Sequence, residues 1–210
     1  MGQVSAEKTP TRGELRRQAM LDAASELFLE KGYERTSLSD IVCRSKGSRS
    51  TLYEQFGGKE GLLRAMIEQA TAVTWQALNS NTFADLGSEE GLCALGICFV
   101  HAALAPQSVA VFRVLAAESE RVPEVARLFF ELGPRSSERI LAERFANSAL
   151  VRDGFASPEQ LARVFLGSLL GVLHARRVLG LSVVLDEAEM ESHVRVAVRV
   201  FLDGVGCCRA

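Results

Sequence analysis

The chain has 210 residues, 48% hydrophobic and 24% charged, with a formal net charge of −2. That length suits one large domain or a small domain joined to a larger one, and it buries enough surface to fold without disulfide or metal staples. The near-neutral balance excludes a chain that grips nucleic acid by bulk charge, so any basic footprint must be local.

Residues 1–10 are polar and end in Pro10, the pattern of a loose arm. From Arg12 to Lys31 the apolar residues Leu21, Ala24, Leu27 and Phe28 recur on one helical face, and Gly32 supplies a stop. Ser37 is placed to cap a short helix from Leu38 to about Ser45, with Asp40 in its first turn. Ser48 is placed to cap another from Arg49 to Gln55, and a long helix follows from about Lys59 to Leu78. Between Ile41 and Tyr53 the bases Arg44, Lys46 and Arg49 occur with no acid among them.

Beyond a polar loop, Ser88 opens a helix through about Ala105, where Pro106 breaks it, and a further helix runs from about Ser108 to Glu118. Pro123 and Pro134 each suit a first helical turn, with Gly133 ending the piece before Pro134. Ser157-Pro158-Glu159-Gln160 is a full start signal for a helix to about Val178, stopped by Gly180. The last helix starts at Asp186-Glu187-Ala188-Glu189 and runs to about Leu202. No alternating strand pattern of useful length occurs, so the fold class is all-α, with nine to ten helices and a small N-terminal head.

Residues 37–56 form the functional unit: short helix, tight connection near Lys46–Gly47, short helix. That is the layout of a helix-turn-helix, whose second helix enters the major groove. Leu52 and Phe56 share one face and can pack on Ile41, while Ser50, Tyr53 and Glu54 point away. Arg49 can reach a base edge, and arginine's fork matches the two acceptors of guanine. Hydroxyls and the free N–H groups at Ser48–Thr51 and Gly58–Glu60 suit phosphate oxygens. Periodicity alone equally fits a helical hairpin with no DNA partner.

The pattern Leu21-x-x-Ala24-x-x-Leu27-Phe28, Gly32-Tyr33, Thr36-Ser37, Ile41 and Ser48-Arg49-Ser50-Thr51-Leu52-Tyr53-x-x-Phe56-x-x-Lys59-Glu60-x-Leu62 closely resembles the TetR/AcrR family of bacterial transcriptional regulators. The resemblance covers about the first 65 residues and is strongest from Thr51 to Leu62. It implies a three-helix DNA-binding head joined through a fourth helix to a helical ligand-binding and dimerisation domain. The implied boundaries are an arm at 1–10, a head at 11–58, a connecting helix at 59–78, a ligand and dimer domain at 79–204 and a tail at 205–210. The implied DNA contacts are Thr36, Ser48, Arg49, Ser50, Thr51, Tyr53, Gln55 and Lys59, the last three holding phosphates. Here the chain departs from the family pattern of small residue, glycine, hydrophobe before the recognition helix. Ser45-Lys46-Gly47 shifts the glycine by one and drops the hydrophobe, leaving Gly47 as the candidate for a positive φ.

Farther on, Gly167, Gly171 and Ala175 repeat at four-residue spacing, and Val194, Val198, Phe201 and Leu202 offer an apolar face. Either they pack within one chain or, with a second copy, they form a four-helix dimer interface. With the resemblance, the second reading is expected. Trp75, Phe99, His101, Phe112, Phe129 and His174, with Phe83 and Phe130, are either core filling or the lining of a pocket for an apolar or amphipathic effector. Cys43, Cys93, Cys98, Cys207 and Cys208 are an odd set that reads as free thiols, and a redox or metal role for the tail pair has no third ligand nearby.

The opening MGQVSA has no charged-then-apolar leader, and Leu161–Leu185 is interrupted by His174, Arg176 and Arg177, so a cytoplasmic protein is expected. No nucleophile elbow, phosphate loop, His-Glu-x-x-His or paired Cys-x-x-Cys motif occurs, and no cofactor is implied. The expectation is a homodimeric, ligand-responsive repressor of a pseudo-palindromic operator in double-stranded DNA. The rival readings are a helical protein-interaction scaffold that has lost DNA binding and, more remotely, a helical enzyme.

Overall fold

The computed structural model describes residues 11–79, 86–120, 123–148, 150, 156–181 and 186–206. Cys207, Cys208, Phe83 and the residues of the arm before Thr11 lie outside that set. Among the described residues there are helices and no strands. The chain divides into two compact units, residues 1–66 and 67–210.

The first unit holds α1 (Arg12–Lys31), α2 (Leu38–Ser45), α3 (Arg49–Phe56) and the first turns of α4 (Lys59–Asn79). Its helices start where side chains satisfy orphan amides. Thr11 and Glu14 form a reciprocal capping box on α1, Ser37 and Asp40 do the same on α2, and Ser48 caps α3 by accepting from Thr51 N. The three helices enclose a small core of Met20, Leu21, Leu27, Ile41 and Leu52, each no more than 2% exposed. Arg44 on α2 holds Glu26 and Glu30 on α1 at 3.0 Å each. Arg44 therefore does not belong to the free basic footprint expected between Ile41 and Tyr53.

The turn between α2 and α3 differs from expectation. Lys46, not Gly47, takes the left-handed conformation, with φ 52°. Gly47 serves space: a Cβ there would sit 2.4 Å from the terminal methyl of Met20 on α1.

The second unit comprises the rest of α4 with α5 (Glu89–Ala103), α6 (Pro106–Glu118), α7 (Pro123–Phe130), α8 (Ser136–Ala146), α9 (Pro158–Val178) and α10 (Glu187–Gly206). Phe145, Phe165 and Phe201 meet at its centre with ring centroids 5.0–6.0 Å apart, joining α8, α9 and α10. Leu92, Leu95 and Phe99 of α5 complete that core. Among the described residues no single helix is long and apolar enough to cross a membrane.

Three expectations are corrected here. Pro106 is the first residue of α6 rather than a spacer before it, since a proline at that position gives up an amide that would be orphaned anyway. Gly133–Pro134 does not end one helix and start another. A π turn, Glu131–Arg135, links α7 to α8, and Ser136 and Ser137 hydroxyls donate to the carbonyls of Glu131 and Gly133. Widening the helix accommodates a ring that cannot donate. Third, α9 breaks at Gly171, with φ 26° and ψ −123°. His193 of α10 lies 3.1 and 3.2 Å from the carbonyls of Ser168 and Leu169, one turn before the break, and donates to them.

Because lysine in the left-handed region carries a steric cost that glycine lacks, Lys46→Gly is expected to stabilise the head. The gain, net of glycine's extra freedom when unfolded, is about 0.5–1 kcal/mol. Hydrogen exchange of the α2 and α3 amides should slow by about two- to fivefold. Unchanged or faster exchange would show that the turn is not strained.

Candidate functional site

The sequence of α3 divides by face. Leu52 is fully buried and Phe56 9% exposed, with the Arg17 guanidinium 5.2 Å from the Phe56 ring centroid. Ser48, Arg49, Ser50, Tyr53 and Gln55 face solvent, with Ser50 and Tyr53 turned away from Leu52, and Thr51 is half-buried at the edge. Ser48 Oγ gathers the helix start: it lies 3.0 Å from Ser50 Oγ and 2.8 Å from Thr51 Oγ1 while accepting from Thr51 N. Arg49 donates to Ser39 Oγ of α2, so the two short helices present one polar surface. Ser39 was not expected in it. Its only signal is its place two residues into a helix whose apolar face is elsewhere. At 1.5 Å per residue, α3 is about 12 Å long, the width of a major groove.

Two of the residues carried over from the resemblance sit differently. Thr36 is 1% exposed, and its hydroxyl donates to the carbonyls of Leu27 and Gly32. It locks the end of α1 and does not belong on the outer surface. Lys59 points its ammonium at the carbonyls of Tyr33, Glu34 and Thr36, 2.9–3.3 Å away, with Nζ 4.3 Å from the Tyr33 ring centroid. Its three protons thus tie down the loop between α1 and α2. Burial, with Glu60 and Glu34 nearby, pushes the Tyr33 phenol up to about 12, so that ring stays neutral beside the cation.

In the second unit a cavity of about 320 Å³ opens among α4, α5, α6, α7, the π turn, α8 and α9. Four of the expected residues line it: Phe99, Phe112, Phe129 and His174. His174 stands edge-on to Phe112 at 4.5 Å, and Phe112 meets Phe129 at 5.8 Å. Burial holds His174 below its ordinary pKa, favouring the neutral ring. Arg163 and Glu138 pair across one side at 3.1 Å. The other two expected residues lie elsewhere. His101 is exposed and pairs with Glu187 at 3.4 Å, and Trp75 is half-buried outside the lining. Thr71, Thr74 and Ser108 line the cavity unexpectedly. The first two had a signal, since they interrupt the apolar stripe of α4 formed by Leu63, Ile67, Ala70 and Leu78.

The residues expected at a dimer interface also divide. Val194 and Val198 are fully buried and Phe201 is 7% exposed, all within the chain's own core. Gly167 faces the cavity, Gly171 is the break in α9, and Ala175 is exposed. The apolar residues that α9 and α10 leave in solvent are Val164, Val172, Val196 and Val200, each about 60% exposed or more. Val164, Val196 and Val200 line a groove with Ser168 and His193. Cys43 and Cys98 are exposed free thiols and Cys93 is a buried one.

Residues 20–66 match the model of bacterial regulatory proteins of the tetR family, and residues 90–204 match that of the AefR-like transcriptional repressor C-terminal domain. The HTH-type transcriptional repressor ComR of Escherichia coli K12 is 47% identical over 53 residues, a quarter of each chain. The HTH-type transcriptional repressor Rv3405c of Mycobacterium tuberculosis H37Rv is 32% identical over 128 residues, 61% of this chain and 64% of that one. The matches thus span less than two thirds of these relatives' length. Among solved structures, the flavonoid-responsive regulator FrrA is 32% identical with a TM-score of 0.71, covering 90% of this chain and 96% of that one. A TetR-family regulator from Mesorhizobium loti gives a TM-score of 0.76 at 24% identity, covering 93% and 98%.

Lys59→Met keeps length and removes the charge, stripping three carbonyls of a donor. It should destabilise the head by about 1–3 kcal/mol, read as faster exchange of the α1 and α2 amides. Unaltered exchange with weakened DNA binding would instead make Lys59 a phosphate ligand and nothing more.

Proposed function

Because this chain belongs to the TetR family of bacterial transcriptional regulators, we propose that it works as a homodimeric repressor of a pseudo-palindromic operator, released by a small apolar or amphipathic effector. The observation that carries the DNA reading is the division of α3, with Leu52 and Phe56 inside and Ser48, Arg49, Ser50, Tyr53 and Gln55 outside. In this reading Arg49 and Ser50 meet base edges, Tyr53 and Gln55 meet phosphates, and the open amides at the start of α3 add to the phosphate contacts. The two recognition helices of a dimer would meet successive turns of the major groove, about 34 Å apart.

The exposed valines of α9 and α10 support a second copy as the partner for that face, those of α10 lying two residues from the valines first expected there. The apolar cavity supports an effector of drug-like size. The flavonoid-responsive regulator FrrA, similar over nearly the whole chain, supports the same class of control. Release requires only that the effector bind one conformer of the dimer better than the DNA-competent one. The working place of such a protein is the cytoplasm, where its operator lies.

The test is an anisotropy titration against DNA from upstream of the chain's own gene, at two salt concentrations, with scrambled DNA as control. Sequence-selective binding that weakens with salt is expected, and Arg49→Ala should cost about 1–3 kcal/mol of specific affinity. Unchanged operator affinity would remove Arg49 as a base reader. Val196→Glu with Val200→Glu is expected to yield a folded monomer by analytical ultracentrifugation, with operator affinity lost. A variant that stays dimeric would place the interface elsewhere.

A further inference from the structure

The polar groups of the α4–α9 cavity fall into two sets. Thr71 donates to the carbonyls of Ile67 and Glu68, Ser108 to those of Ala102 and Ala70, and Ser137 to that of Gly133. Arg163 and Glu138 neutralise each other. Thr74 and His174 make up the second set. Thr74 is 8% exposed and lines the cavity, yet its hydroxyl has no hydrogen-bond partner among the described residues. The same is true of both ring nitrogens of His174, whose ring is held edge-on by Phe112. Neither residue is among those with side-chain polar atoms sealed off without a partner; both groups open into the cavity, where a ligand hydroxyl can take the place of water on them.

We propose that this cavity selects an uncharged aromatic molecule bearing a hydroxyl group, its ring among Phe99, Phe112 and Phe129 and its hydroxyl held by Thr74 and His174. The inference rests on the cavity being the effector site. A phenolic hydroxyl both donates and accepts. Its proton goes to a neutral imidazole nitrogen and its oxygen accepts from Thr74 Oγ1. Burial of His174 keeps that nitrogen available. A carboxylate entering the same space would lose its water and find the one lining guanidinium already paired. An ammonium would find the one lining carboxylate paired likewise. A volume of about 320 Å³ lies at the small end of ligand pockets, room for two or three rings.

The test is calorimetric titration of the full chain with four matched probes: biphenyl-4-ol, biphenyl, biphenyl-4-carboxylate and 4-biphenylmethylammonium. Biphenyl-4-ol is expected to bind at least tenfold more tightly than each of the others. Thr74→Val and His174→Phe should each shrink its advantage over biphenyl severalfold and together abolish it, with biphenyl affinity retained and far-UV dichroism unchanged. Equal binding of alcohol and hydrocarbon overturns the proposal and leaves the effector site standing, as does an advantage that survives in the double variant. A carboxylate that binds best overturns it too. Affinities unmoved by Gly167→Phe, which adds a ring at the cavity lining, or no binding by any probe, overturn the cavity as the effector site as well.

Discussion

Burial of Ile41 and Leu52 against α1 is the condition on which the surface proposed to read DNA rests. Helices of eight residues do not persist alone in water, because nucleating a turn fixes several dihedral angles for a single hydrogen bond. In α2 and α3 that deficit is offset by two things: serine caps that satisfy the first amides, and one apolar face sealed inside the head. Every outward-facing group, from Ser48 to Gln55, inherits its position from those inward ones. Thr36 and Lys59 serve the same end. They tie the loop after α1 by its carbonyls, so two polar residues that look like DNA contacts are fixtures of the scaffold.

Helix starts and the all-α class were legible in the sequence because capping is local chemistry. Ser37 with Asp40 and Ser157 with Gln160 announce their helices within four residues. Breaks were less legible. Proline and glycine reveal that something must give but not how. At Gly133–Pro134 the helix widens and continues, whereas at Gly171 it turns sharply. Which of the two occurs depends on hydroxyls and neighbouring helices that no short window contains. The αL position fell on Lys46 rather than Gly47 for a similar reason: Gly47 is needed for the room it leaves to Met20, a residue 27 positions earlier in the chain.

Surfaces were the hardest to read. Val194 and Val198 share the helical face that fills the core, while Val196 and Val200, two residues on, remain in solvent. Composition makes these two faces of α10 nearly alike, and only the tertiary partner tells them apart. The aromatic cavity was partly legible, since Phe99, Phe112, Phe129 and His174 converge. Trp75 and His101 show the limit of choosing by residue type, because large rings are used wherever volume is needed. The threonines of α4 were the better clue, being polar where the stripe around them is not.

One helix, α9, faces both ways. Leu166, Gly167 and Leu170 border the cavity, while Val164 and Ser168 border the groove toward α10, and the carbonyls of Ser168 and Leu169 are held by His193 of that helix. If the cavity holds the effector and the groove seats a second copy, as proposed, a lineage that alters this segment to answer a new molecule also reshapes the surface its partner meets. Among descendants of a duplicated gene, the ability to sense something different and the refusal to mix subunits with the parent copy would then arise from the same few substitutions.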